Sequence, residues 1–211
     1  MEVIITLVSC FAVCLIARQI AVYKKNLFFK YLFTPLVTAF VIGVAIGGIV
    51  DTGISIFNIL ILCGLIMGAL ADTLLMIEEV DLFKHGIIYF LIGNGLYIFA
   101  MAPVYIFQMW HIIVFIVLLM IIIQWFWILK KHSWEIAIPI IVYMLVLCTM
   151  VGLSWGFLYQ IELPIGMTLF LISDILLAIN IFVKPIQYSS IYTWMFYAPG
   201  QLLIALSCYY M

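Results

Sequence analysis

Charge is what this chain has least of. Of 211 residues, 8 are Lys or Arg and 9 are Asp or Glu, 8% in all, where a soluble domain carries about 25%. That leaves too little polar surface to clothe a water-exposed fold. With a net charge of −1 there is no basic face for nucleic acid either. Histidine is equally scarce. His85, His111 and His132 fall at the ends of apolar runs on opposite faces, so no His–carboxylate metal site is expected. The five cysteines lie inside apolar runs without a C-x-x-C pair and read as small buried hydrophobes, neither a disulfide framework nor a zinc site. G-x-S-x-G, a phosphate-cradling loop and the Gly-x-Gly-Asp of intramembrane aspartyl proteases are all missing. The beginning of the chain lacks the positive n-region of a cleaved signal peptide, and residues 3–23 are expected to be a first span.

What is abundant is apolar sequence: 69% hydrophobic residues and a mean hydropathy of +1.39. A membrane span needs about 20 mainly apolar residues. The chain divides into eight, near 3–23, 30–50, 54–77, 84–107, 111–129, 135–157, 163–183 and 189–210. The expected fold is therefore an all-α polytopic bundle of eight transmembrane helices, a single integral-membrane domain over 1–211. Connections this short leave no room for a soluble domain.

Basic residues set the expected orientation. Arg18, Lys24, Lys25 and Lys30 flank the first connection, Lys84 the third, Lys130 and Lys131 the fifth, and Lys184 the seventh. All fall on one side, which the positive-inside rule makes cytoplasmic, with both termini on the other. A bacterial cell membrane is the expected location.

Two acids interrupt the apolar runs. GMTLFLISDILLAINIF (166–182) carries Asp174, and GLIMGALADTLLMI (64–77) carries Asp72. By insertion scales an aspartate at a helix centre costs about 2.5–3.5 kcal/mol. In each stretch a glycine lies eight positions before the acid, a small residue (Ala71 or Ser173) precedes it and x-Leu-Leu follows. Pro35 and Pro139 echo the same four-span offset. Two parallel four-helix repeats would produce this pattern; chance matching of apolar sequence is the alternative.

Further polar residues fall at like depth. At 1.5 Å per residue, Asp72 lies roughly 9 Å below the end of its span and Asp174 roughly 15 Å below Lys184. Asn94 and Tyr97 of span four, and Tyr197 and Gln201 of span eight, come out roughly 12–20 Å deep. Asn94 and Tyr97 are spaced i, i+3 and Tyr197 and Gln201 i, i+4, so each pair shares a helix face. Gly64, Gly68 and Asp72 also share a face, where two glycines let a neighbouring helix approach. These groups are expected to point into the bundle as a binding surface. Interhelical hydrogen bonding that merely holds the helices together is the other reading of the four neutral residues. Glu78, Glu79 and Asp81 form an acidic connection, expected to be solvated.

KYLFTPL (30–36), GALADTLLM (68–76), FKHGIIYFLIGNGLY (83–97), LFLISDILLAINIF (169–182) and YAPGQLLIA (197–205) together resemble the YhhN-like membrane proteins, the lysoplasmalogenase family. The resemblance runs span by span over nearly the whole chain. It implies an eight-span enzyme that hydrolyses the vinyl ether of lysoplasmalogen to a fatty aldehyde and a glycerophospho-base. Asp72 and Asp174 would be the catalytic pair. Depth, not the resemblance, suggests the roles: desolvation favours the protonated form, so the deeper Asp174 is expected to be the acid and Asp72 its ionised partner. Asn94, Tyr97, Tyr197, Gln201 and Lys30 would meet a lysophospholipid substrate drawn from membrane lipid, with no cofactor or metal. The chain departs from the family pattern twice: Ala71 stands where Gly-Asp is usual, and Asn94-Gly-Leu-Tyr97 stands where His-x-x-Tyr is usual. Asn keeps a hydrogen bond but cannot titrate. A proton-coupled transporter or binding protein for a small amphiphile would use the same pair of acids.

Overall fold

A computed structural model describes residues 2–77, 79–80, 82–132, 134–157 and 160–210. They form eight α-helices: α1 (Glu2–Tyr23), α2 (Leu27–Thr52), α3 (Ile56–Met76), α4 (Phe83–Met101), α5 (His111–Leu129), α6 (Trp134–Ser154), α7 (Glu162–Phe182) and α8 (Ser189–Leu206). Two 3-10 turns follow α4 and α8, at Ala102–Val104 and Ser207–Tyr209. No strand occurs among the described residues. Helix is the form such sequence takes in lipid, because it satisfies the backbone hydrogen bonds within the segment.

Seven of the eight helices are long and apolar enough to cross a membrane. The exception among the eight expected spans is α8, which carries Ser189, Ser190, Thr193, Tyr197 and Gln201. Its polar side chains face the interior: Tyr197 and Gln201 are buried. Three expected boundaries also move inward. The fourth span stops at Met101 where Pro103 enters a 3-10 turn. The sixth stops at Ser154, whose hydroxyl turns back to the carbonyl of Val151 at 2.7 Å, with Gly156 just beyond. The eighth tightens into 3-10 at Ser207. Of the acidic connection, Glu78 and Asp81 lie outside the described residues; Glu79 accepts from the Tyr31 hydroxyl at 2.9 Å.

Caps mark where the chain turns. Asn26 accepts from the backbone N–H of Phe29 at the start of α2, and Ser55 from Asn58 at the start of α3. Gly53, at φ 97°, closes α2 in a conformation that L side chains rarely adopt.

Packing joins α2, α3, α4, α6, α7 and α8 into a ring, with α1 laid over α2 and α8 and α5 against α6. The tightest pairs, α3 with α4 and α7 with α8, meet at glycines. A Cβ added at Gly166 would lie 2.8 Å from the carbonyl oxygen of Gly200, and one at Gly93 would lie 3.1 Å from that of Gly64. Backbones this close require residues without side chains.

Successive helices run in opposite directions. Arg18 near the end of α1 bonds Ser190 at the start of α8, and Lys30 at the start of α2 bonds the carbonyl of Met76 at the end of α3. At the far end Thr52, closing α2, donates to the carbonyl of Cys208. The first set of contacts marks a basic end of the bundle. His132 after α5 meets Phe182 at the end of α7 there, edge to face. The connections carrying the Lys and Arg residues gather at this end. Opposite lies His111, fully buried, its ring nitrogens against Tyr105, the Gln108 amide and the Trp155 carbonyl.

Candidate active site

Both aspartates are buried and both line one cavity of about 260 Å³ at the basic end of the ring. Asp72 faces it one turn before the end of α3, and Asp174 two turns before the end of α7. The Tyr197 hydroxyl of α8 donates to Asp72 Oδ2 at 2.7 Å. The Tyr143 hydroxyl of α6 donates to Asp174 Oδ2. Asp174 Oδ1 lies 3.3 Å from Ser173 Oγ, which also donates to the Phe170 carbonyl at 2.7 Å.

The cavity has a polar mouth and an apolar floor. Lys30, Asn180, Ser189 and Ser190 stand at the mouth, and Leu75, Phe90 and Leu177 lie around the aspartates. A second, narrower hollow of about 40 Å³ opens between α4, α6 and α7. It is lined almost wholly by apolar side chains, among them Ile87, Ile140, Met144 and Ile181. Leu75, Phe90, Asp174 and Leu177 belong to both hollows, so Asp174 stands where the polar chamber meets the apolar slot.

The remaining candidates divide. Tyr197 and Lys30 line the cavity. Gln201 and Asn94 lie one helical turn farther from the basic end than Tyr197 and Phe90, buried behind the wall rather than on it. Tyr97 packs its ring against Gly64, and its hydroxyl donates to Gln201 Oε1 at 3.4 Å. Asn94 sits beside the Tyr143 hydroxyl. The three therefore form a polar layer behind the acids, in place of the substrate-lining surface the spacing suggested.

Two residues at the site were not anticipated. Tyr143 of α6 holds Asp174; its place one turn beyond Pro139 was the available signal. Arg18 was read only as a topology marker. It is 2% exposed, lines the cavity, and lays its guanidinium 4.0 Å over the Trp194 ring. Its Nη2 donates to Ser190 Oγ at 2.8 Å, and its Nη1 to Gln19 Oε1 at 2.9 Å and to the Ser190 carbonyl at 3.2 Å. Its position more than a turn inside the first span was the clue, because a charge at that depth needs partners.

Helices that cross a membrane, closed around a chamber bearing two buried acids, make this a multi-pass membrane protein with an intramembrane carboxyl pair. Residues 25–208 match the YhhN family, and the chain belongs to it. No curated protein and no solved structure matches the chain. The match spans both aspartates and begins after Arg18.

Proposed function

We propose that this protein is a lysoplasmalogenase-type hydrolase, cleaving the vinyl ether of a lysophospholipid to a fatty aldehyde and a glycerophospho-base. Family membership supports the class. The observation that carries the reading is Asp174 at the junction of a polar chamber and an apolar slot, with Asp72 across the same chamber. A single-chain amphiphile divides in that way. Its head occupies the chamber, its chain enters the slot and passes Ile181 toward lipid, and the bond between head and chain lies at Asp174. With the basic end cytoplasmic by the positive-inside rule, the chamber opens to the cytoplasm and both termini lie outside.

The chemistry needs a proton donor and a base. Asp174, beside the apolar slot, protonates the β-carbon of the vinyl ether, and the π electrons form the new C–H bond. The resulting oxocarbenium ion is attacked by water, whose proton passes to Asp72. Asp72 takes the Tyr197 hydroxyl on its Oδ2 at 2.7 Å and shares the chamber with Arg18, so a hydrogen-bond donor and a cation stand ready for the charge it carries in this scheme. The hemiacetal then collapses. Its O–H proton returns to Asp174 while the proton on Asp72 goes to the departing glycerol oxygen. One water is consumed and both carboxyls are reset. Tyr143 fixes Oδ2 of Asp174, which leaves Oδ1 to carry the transferred proton.

The test is aldehyde release by the purified protein in detergent. A lysolipid with the vinyl ether should yield aldehyde, and its saturated-ether analogue none. Absence of aldehyde from both, across headgroups, overturns the reading. Uptake into vesicles driven by a pH gradient without turnover would establish the transporter instead.

A further inference from the structure

Arg18 takes no part in the proton transfers, and its surroundings resemble a site awaiting an anion. Its Nε, though buried, has no hydrogen-bond partner. Neither has Thr193 Oγ1, also buried and also on a residue lining the chamber. Buried polar atoms are almost always satisfied, by protein, water or ligand. Both residues line the chamber, so an anion there would meet two unmatched donors once the side chains turn toward it.

The rest of the wall fits an oxyanion. Ser190 Oγ already faces the Arg18 fork at 2.8 Å. Lys30, whose Nζ donates to the Met76 carbonyl at 3.3 Å, lines the same chamber. Ser189 and Ser190 begin α8, whose N-cap, Tyr188, supplies no side-chain hydrogen bond, so the positive helix end faces the chamber without a side-chain cap. Trp194 underlies the guanidinium and fixes its plane. A planar fork held flat, flanked by hydroxyls and an ammonium, matches the tetrahedral oxygens of a phosphate.

We infer that Arg18, with Ser190, Thr193 and Lys30, binds the phosphate of a phospholipid headgroup in the polar chamber. The lipid's orientation, chain toward Asp174 and the slot, rests on the hydrolase reading; the phosphate site does not. Because Arg18 precedes the segment matched to the family, the assignment to YhhN does not bear on it. The site makes the phosphate a requirement for tight binding: a neutral alkylglycerol would fill the slot but leave the guanidinium unmatched.

Binding to the full-length protein in detergent, measured by titration calorimetry, tests this. The probes are a saturated-ether lysophospholipid, which the proposed reaction cannot cleave, and the corresponding alkylglycerol without phosphate. Arg18→Gln should weaken the lysophospholipid by about 10–100-fold and leave the alkylglycerol within about threefold. Arg18→Lys, which keeps the charge and loses the fork, should fall between. Equal loss for both ligands would make Arg18 a structural clamp between α1 and α8 and overturn the inference; so would no loss for either. If Arg18→Gln does not fold, Ser190→Ala and Thr193→Ala carry the same comparison, each with a selective loss of about three- to tenfold. Inorganic phosphate and glycerol 3-phosphate serve as competitors. Displacement of the lysolipid by either at equal concentration would identify a soluble phosphate as the ligand and overturn the lipid assignment. Selective loss in a protein that releases no aldehyde would uphold the phosphate site and refute the hydrolase.

Discussion

Asp72 on α3 and Asp174 on α7 each lie eight residues beyond a glycine where the next helix comes to backbone contact, Gly64 with Gly93 and Gly166 with Gly200. The frames match; the company differs. Asp72 receives a hydroxyl from α8 and faces a guanidinium from α1. Asp174 receives a hydroxyl from α6 and borders the apolar slot. One scaffold thus places two identical side chains on one chamber, one turn and two turns from the basic ends of their helices, and leaves their chemistry to the neighbours. Unlike surroundings are what give two carboxyls separate acid and base roles.

The largest expected effect tests whether the two act as a unit. Asp174→Asn and Asp72→Asn should each lower kcat for vinyl-ether cleavage by about 10²–10⁴-fold. The double variant should be little worse than the poorer single one, since groups serving the same proton cycle are not additive. Multiplicative losses in steady-state aldehyde assays would show independent roles and break the pairing.

Removing the hydroxyls sharpens the contrast next. Tyr143→Phe and Tyr197→Phe each delete one hydrogen bond to a carboxyl, expected to lower kcat by about tenfold. The pH–rate profile is the discriminating readout. Tyr143→Phe should displace the alkaline limb, which reports the acid, and Tyr197→Phe the acidic limb, which reports the base. A reversal would exchange the roles of the two aspartates.

The helix frames come third. Ala at Gly166 sets a Cβ 2.8 Å from the Gly200 carbonyl, so α7 and α8 must separate. The expected loss is about 1–3 kcal/mol of stability, read from thermal unfolding in detergent. Gly95→Ala is the control, with nothing within 4 Å of the new atom. It should be neutral or slightly stabilising, by about 0.5–1 kcal/mol.

Much of this frame is legible in the sequence, and the neighbours are not. Spans stand out because long apolar runs end at basic residues, and the glycine–aspartate spacing marks where helices close. Helix ends are less visible where Pro103, Ser154 and Ser207 shorten a run without changing its hydrophobicity. Rotation is the larger loss. In a soluble helix the apolar stripe names the buried face. Here lipid and core are both apolar, so nothing in α6 shows that Tyr143 turns toward α7. Arg18 illustrates the same limit: its charge was counted for topology, while its partners Ser190 and Trp194 lie at the other end of the sequence.

The smallest expected effect concerns Asn94, which sits where the resembling family usually carries a histidine. It is buried behind Asp174, against the Tyr143 hydroxyl, one step removed from the chamber. From there it can orient the tyrosine, and the proposed proton cycle passes through the two aspartates without it. Asn94→His should retain kcat within about threefold while altering its pH dependence, because an imidazole still offers a hydrogen bond and now titrates. Asn94→Ala should lose more, by about tenfold, since the phenol is left without its neighbour. A gain of tenfold or more on restoring histidine would place that residue in the proton path and end the separation between the acids and the layer behind them.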